Sequence, residues 1–322
     1  MSKKPTVLVT RKLPDAVEAR LRRDYDARLN ADDRVILGPE LVAQSPEVDA
    51  LLVCPTDKVD AGVIDALDKR VRCISTYSVG FDHVSVPAAQ RRGIQVTNTP
   101  DVLTEATADI AMLCMLGAAR RAHEAQTQLR EGGWKRWTPV EFRGAHLAGQ
   151  RLGIVGMGKI GKAVARRAFG FGMKILYNDV VKVPADFPIP ATYVAALDDL
   201  IAQSDVLTLH APGVAENTNL LSRARIAKLP KGAVVVNTAR GNLVEDDALI
   251  DALESGHVAG AGLDVFAGEP ALNKRYLSAP NAYLLPHIGS ATYETRDAMG
   301  FRALDNLDDF FAGRTPRDTV IR

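Results

Sequence analysis

Short apolar runs alternate with stretches of helical period along most of the chain. Residues 6–10 (TVLVT), 50–54 (ALLVC), 72–76 (RCIST) and 94–99 (IQVTNT) read as strands, and helical patterns at 15–23 and 60–67 separate the earlier ones. Apolar runs of this length between helices are the signature of a parallel sheet covered on both faces. A longer helix is predicted from Thr104 to about Arg121. Glu105 and Asp109 lie in its early turns and Arg120 and Arg121 in its last, as the helix dipole favours. Residues 132–149 then lose periodicity and carry Gly132, Gly133, Pro139, Gly144 and Gly149, so they read as an irregular excursion. A second alternation follows, with strands at 151–156, 174–179, 206–210, 233–239, 259–265 and 282–286 and a helix opening at Asp246. The last amphipathic helix, 292–311, cannot extend that second sheet. It is expected to return to the first, which makes the first domain discontinuous. The fold class is therefore α/β, with two doubly wound parallel sheets in one chain.

Composition narrows this little. The 322 residues suit two domains, and an apolar content of 47% suits a full core. Forty basic against 39 acidic residues leave a net charge of +1, so no general attraction to nucleic acid or an acidic membrane is expected. The densest basic stretch, 130–143, holds Trp134, Lys135, Arg136 and Trp137; it reads as a solvated face or a subunit contact. Cys54, Cys73 and Cys114 are odd in number and form no CxxC, so reduced thiols are expected. The first apolar run is too short for a signal peptide, and 110–119 is too short to span a bilayer. A cytoplasmic address with no membrane partner is the expectation.

The sharpest motif follows the strand at 151–156. Gly156-Met157-Gly158-Lys159-Ile160-Gly161 ends a strand and opens a helix, which is the context a dinucleotide-binding loop requires. Gly156 would make the turn, Gly158 would let the backbone approach a pyrophosphate, and Gly161 would pack helix on strand. The helix N-terminus supplies N–H groups for the phosphates. Asp179 ends the next strand, 18 residues beyond Gly161, where an acid would grip the adenosine ribose hydroxyls. The second G-x-G, Gly260 and Gly262, lies within a strand and reads as close packing.

Three further residues fall at strand ends on the same sheet: Arg240 after 233–239, Glu269 in FAGEP after 259–265, and His287 after 282–286. Each alone has a plain explanation, Arg240 as a loop residue paired with a carboxylate, Glu269 as a surface acid, His287 as a satisfied loop histidine. Together, beside a dinucleotide loop, they match what hydride transfer to a 2-oxo acid needs. An arginine fork holds a carboxylate bidentately. A histidine titrates near working pH, and a neighbouring carboxylate stabilises its charged form. Asp264 could accept from a nicotinamide carboxamide or be an ordinary strand-end acid. The other histidines, His83, His123, His146, His210 and His257, form no spaced ligand pair, so no metal is expected.

At this point the chain resembles the D-isomer-specific 2-hydroxyacid dehydrogenases. GMGKIG, NTARG, GLDVFAGEP and LPHIGSAT all look like motifs of that family, in order, over essentially the whole length. The resemblance implies a Rossmann dinucleotide-binding domain, 101–287, inserted into a flavodoxin-like substrate domain, 1–100 and 288–322. It makes Arg240 the substrate-binding cation, His287 the acid/base and Glu269 its partner. In STYSVGFDHV it gives the backbone N–H groups of Val79 and Gly80 to the substrate carboxylate. It also implies cofactor contacts from Thr107, the 156–161 loop, Asp179, His210, Ala211, Pro212, Thr238, Ala239, Arg240, Asp264, His287 and Gly289. GGWKRW and PDVLTEATAD are most similar to glyoxylate/hydroxypyruvate reductases. Many of those prefer NADPH and carry a basic residue after the second strand; Asn178-Asp179-Val180 here implies NAD instead. With its last residue at Arg322, no regulatory domain like that of some phosphoglycerate dehydrogenases is expected. Trp137, in a glycine-rich excursion, reads as a local packing anchor or, as the resemblance further implies, as a residue lining the partner's substrate pocket in a homodimer formed through 104–121 and 132–149. Glyoxylate or hydroxypyruvate is the favoured substrate. Phosphite dehydrogenase and a dinucleotide-sensing corepressor scaffold are the alternatives on this fold.

Overall fold

The computed structural model describes residues 3–320, which form two compact units. Of the described residues, one unit comprises 3–103 with 291–320; the other is Thr104–Ser290. The boundaries expected after 100 and 287 thus lie three residues before the observed ones.

The first unit holds five parallel strands, β1 (Thr6–Val9), β2 (Asp26–Arg28), β3 (Ala50–Val53), β4 (Cys73–Thr76) and β5 (Gln95–Thr97), in the order β2-β1-β3-β4-β5. Helices α1 (Asp15–Asp24), α2 (Gly38–Gln44), α3 (Ala61–Ala66) and α4 (Val86–Arg91) connect them. This order is that of a flavodoxin-like sheet. Strand β2 carries no apolar run and is partly exposed, which is why periodicity did not reveal it.

The second unit opens with α5 (Thr104–Ala119) and α6 (Ala122–Arg130). The single helix expected over 104–121 is corrected here. Arg121 takes a left-handed φ of 53°, breaking the helix, so Arg120 and Arg121 lie beyond the last turn of α5. No helix or strand occurs from 131 to 150. Then come β6 (Arg151–Val155), α7 (Lys159–Gly170), β7 (Lys174–Asn178), β8 (Ala191–Tyr193), α8 (Leu197–Gln203), β9 (Val206–Leu209), α9 (Arg223–Ile226), β10 (Ala233–Asn237), α10 (Asp246–Glu254), β11 (Val258–Leu263) and β12 (Ala282–Leu284). The strand order is β12-β11-β10-β9-β6-β7-β8, all parallel, the Rossmann order with a seventh strand added at one edge. The chain then returns to the first unit as α11 (Tyr293–Phe311).

The central strands β6, β9 and β10 are buried on both faces, so they are almost continuously apolar. In β10, Val234 and Val236 pack with Met115 of α5 and Val164 of α7, while Val235 packs on the other face with Leu249 and Leu253 of α10. Gly262 lies against α5 so closely that a Cβ there would overlap the Cys114 carbonyl, and one on Gly260 would crowd Asn281. The glycines within β11 are packing glycines, as their place inside a strand suggested. In the first unit, Leu51, Ile74 and Val96 pack toward α3 and α4, and Val7, Val9 and Leu52 toward α1 and α11.

Candidate active site

In the Thr104–Ser290 unit the sheet reverses direction of winding between β6 and β9, and a crevice at the C-terminal ends of the strands is expected at such a switch. The glycine loop sits there. Gly156 has φ +93°, and a Cβ on it would lie 2.8 Å from the His210 carbonyl. A Cβ on Gly161 would overlap the Gly156 carbonyl. Gly158 is different, because nothing lies within 4 Å of where its Cβ would be. It is the N-cap of α7 and offers no side-chain cap to the first-turn N–H groups. Two glycines therefore serve close packing, and the third leaves open space at a helix N-terminus, a place that suits a pyrophosphate.

Asp179 directly follows β7. Its carboxylate accepts from Met157 N–H at 2.6 Å and from Val181 N–H at 3.0 Å. This ties the glycine loop to the tip of β7 and leaves each oxygen a further lone pair for a diol.

At the end of β9, His210 donates its backbone N–H to Val155 O at 2.8 Å, and its Nε2 meets Thr208 Oγ1 at 2.9 Å. Burial pushes its imidazole down to about 4, so the ring is neutral at working pH. Its Nδ1 and the Thr238 Oγ1 are buried polar atoms with no partner in the protein. Such atoms are costly unless a bound group satisfies them. With the open Gly158 cradle, they fit a dinucleotide lying along this edge.

The loop after β10 is shaped by Asn237. Its Oδ1 accepts from Ala239 N–H at 3.0 Å and its Nδ2 donates to Arg240 O at 2.9 Å. Arg240 donates through Nη1 to Ala239 O at 2.8 Å, and its aliphatic stem lies over Gly213, where a Cβ would be 2.6 Å from Arg240 Cγ. Neither Asn237 nor Gly213 was singled out from the sequence. The signal available was an asparagine at the end of a buried strand, a common turn former.

Glu269 and His287 meet directly. His287 Nδ1 lies 2.7 Å from Glu269 Oε2, and Glu269 Oε1 accepts from Phe266 N–H at 2.7 Å. Because a carboxylate only accepts, Nδ1 carries the proton and Nε2 is left to act as acceptor or donor with its charge state. Burial would raise the Glu269 carboxyl. The hydrogen bond and charge of His287, the Phe266 N–H and the charge of Arg240 outweigh it and hold the carboxyl below its usual range. His287 itself sits at φ 54°, a left-handed conformation that a non-glycine residue adopts only when its surroundings enforce it. Asp264 enforces it in part, accepting from Ile288 N–H at 2.7 Å and Gly289 N–H at 2.8 Å. Burial raises the Asp264 carboxyl. Asp264 thus anchors the loop that carries His287, a role beyond the two readings its sequence position suggested. A Cβ on Gly289 would lie 3.1 Å from Asp264 Oδ2 and 3.5 Å from Thr107, so these three positions adjoin.

Ala211 and Pro212 follow His210 at the same strand end. Val79 and Gly80 lie in the other unit, in the turn after β4. Trp137 lies in the irregular stretch and is 78% exposed. Among the described residues no three His, Cys, Asp or Glu side chains gather as metal ligands would, and no helix is long and apolar enough to cross a membrane.

Residues 112–289 match the family model for the NAD-binding domain of D-isomer specific 2-hydroxyacid dehydrogenases. The chain belongs to that family. Glycerate dehydrogenase of Hyphomicrobium methylovorum is 44% identical over 97% of this chain and 98% of its own. Glyoxylate reductase of Thermococcus onnurineus is 40% identical over 99% and 96%. The solved NADPH-dependent glyoxylate/hydroxypyruvate reductase of Sinorhizobium meliloti, in complex with NADP and malonate, is 33% identical over 99% of this chain and 97% of its own, with a TM-score of 0.87. The protein is a D-2-hydroxyacid dehydrogenase of the glyoxylate or glycerate reductase type, and it uses a nicotinamide dinucleotide.

Proposed function

We propose that this dehydrogenase reduces small 2-oxo acids, glyoxylate or hydroxypyruvate in the first place, with NADH as the preferred donor. The Thr104–Ser290 unit binds the dinucleotide and the other unit presents the substrate. The observation that carries the reading is the His287–Glu269 pair at 2.7 Å on the strand edge that also bears Arg240. The bound nicotinamide supplies the hydride. In the dinucleotide unit Arg240 is the cation for a substrate carboxylate, and in the other unit the Val79 and Gly80 N–H groups are carboxylate donors. Protonated His287 gives a proton from Nε2 to the 2-oxo oxygen as the alcohol forms. Glu269 stays ionised throughout and stabilises the imidazolium before the transfer. In the oxidative direction neutral His287 takes the hydroxyl proton.

The NADH preference rests on Asp179. Its carboxylate is held by two N–H groups at the tip of β7, where a 2′-phosphate would meet a like charge. Lys182, three residues on, places its ammonium 4.7 Å over the Tyr193 ring.

The reading includes a homodimer formed through α5 and the 132–149 stretch, with Trp137 lining the partner's pocket. It is supported by exposed Leu113, Leu129, Trp134, Trp137 and Val140 clustered in this part of the chain. Spectrophotometric NADH and NADPH oxidation across 2-oxo acids, with phosphite-driven NAD reduction alongside, tests substrate and cofactor together. No turnover of glyoxylate or hydroxypyruvate would overturn the reading. Sedimentation tests the dimer, and Trp137→Ala in a folded dimer should widen the profile toward bulkier 2-oxo acids.

A further inference from the structure

The turn after β4 carries an inference that rests on the proposed use of Val79 and Gly80. A trans peptide keeps its C=O and N–H on opposite sides. Whatever holds the carbonyl of one residue therefore aims the N–H of the next. Ser78 O accepts from Thr99 N–H at 2.9 Å, which aims the Val79 N–H. Val79 O accepts from Asn98 Nδ2 at 2.8 Å, which aims the Gly80 N–H. Gly80 O accepts from Ser78 Oγ at 2.6 Å and closes the turn. Three consecutive carbonyls are thus tied to the protein, and the two N–H groups between them face the other way.

The donors differ in kind. Thr99 contributes main chain, which every residue has, but Asn98 contributes a side chain. Asn98 is itself framed: its N–H donates to Asp318 O at 3.2 Å and its carbonyl accepts from Asn306 Nδ2 at 3.0 Å. Asn306 in α11 also accepts from Asp318 N–H at 3.1 Å, and Arg302 pairs with Asp318 at 2.8 Å. The returning helix and the segment beyond it therefore hold the backbone from which the Asn98 carboxamide reaches Val79.

We propose that Asn98 is a positioning residue for the substrate carboxylate: by donating to the Val79 carbonyl it fixes the Gly80 N–H toward the place the carboxylate occupies. The position requires a donor of this size. In Asn98→Asp the volume is kept, but an acceptor faces an acceptor, and the 79–80 peptide gains a reason to rotate its N–H inward. Asn98→Ala leaves the Val79 carbonyl to water and the peptide without its tether.

The test uses the full-length enzyme. kcat and KM for glyoxylate, the NADH Kd and the melting temperature are measured for both variants. Wild type and Asn98→Asp are also labelled with 15N-glycine and titrated with oxamate, a 2-oxo acid mimic, in the presence of NADH. In Asn98→Asp, KM should rise about 10- to 100-fold, the worth of one hydrogen bond to a charged group, with a smaller change in kcat. NADH Kd should stay within twofold. The Gly80 amide should shift with oxamate in wild type and lose that shift in the variant. A Gly80 shift in wild type with an unchanged KM in Asn98→Asp would overturn the role of Asn98 while sparing the use of the turn. No Gly80 shift in wild type would overturn the use of the turn, and the proposal with it. Should Asn98→Asp fail to fold, Asn98→Ala decides on the same criteria, with a rise of about tenfold expected in KM.

Discussion

Glu269→Gln separates charge from shape at the His287 pair. The carboxylate oxygen lies 2.7 Å from His287 Nδ1. At that distance a unit charge pair is worth about 6 kcal/mol at an effective dielectric of about 20. The pair is partly open to solvent, with side-chain exposures of 39% and 29%, so a quarter to a half of that value is a fair working figure. That is roughly 1.5–3 kcal/mol of charge interaction within the pair, which Gln removes. Gln keeps the volume but brings a second difficulty. Phe266 N–H must donate to Oε1, so the new amide would point its NH2 at Nδ1 and favour the other imidazole tautomer. Both effects weaken His287 as a base. Reduction needs the protonated ring, so the basic limb of kcat/KM for 2-oxo acid reduction should move to lower pH. Oxidation needs the neutral ring, so its acidic limb should move down likewise. The assay is initial rate against pH in both directions, with NADH affinity measured separately. Limbs that stay in place, with a folded protein and normal NADH binding, would refute the assignment of the pair to proton transfer.

Other expectations follow from the same geometry. Arg240→Lys keeps the charge but loses the planar fork, so kcat/KM for the 2-oxo acid should fall about 10- to 100-fold, with KM raised and NADH affinity nearly unchanged in fluorescence titration. Asp179→Ser removes the charge at the tip of β7; the NADPH to NADH ratio of kcat/KM should rise at least about tenfold, since even half of a roughly 4 kcal/mol repulsion exceeds one decade. Gly158→Ala and Gly262→Ala form a contrasting pair. The first adds a methyl to open space, so it should leave the melting temperature within about a degree while weakening NADH binding. The second drives a methyl into the Cys114 carbonyl of α5, so calorimetry should show a loss of about 1–3 kcal/mol in stability.

The periodicity of the chain is local information, and local structure follows it closely. Buried strands such as β6, β9 and β10 need apolar residues on both faces, so they are visible as unbroken runs. The turn after β6 needs a positive φ at Gly156 and a close approach at Gly161, demands only glycine meets, so the loop is visible too. Strand ends then place Arg240, Glu269 and His287 on one edge before any coordinates are known. Elements under weaker constraint were not legible. The three-residue edge strands β2 and β8 bury too little to impose a pattern, and the break at Arg121 rests on a backbone angle that arginine does not announce. What no run of neighbours encodes is which distant group meets which. Glu269 reaches His287 across 18 residues, Asp264 reaches Ile288 across 24, and Asn98 reaches Val79 across 19. Each pairing exists because parallel strands bring successive C-terminal ends to one edge, and only the order of the strands decides which of those ends are neighbours.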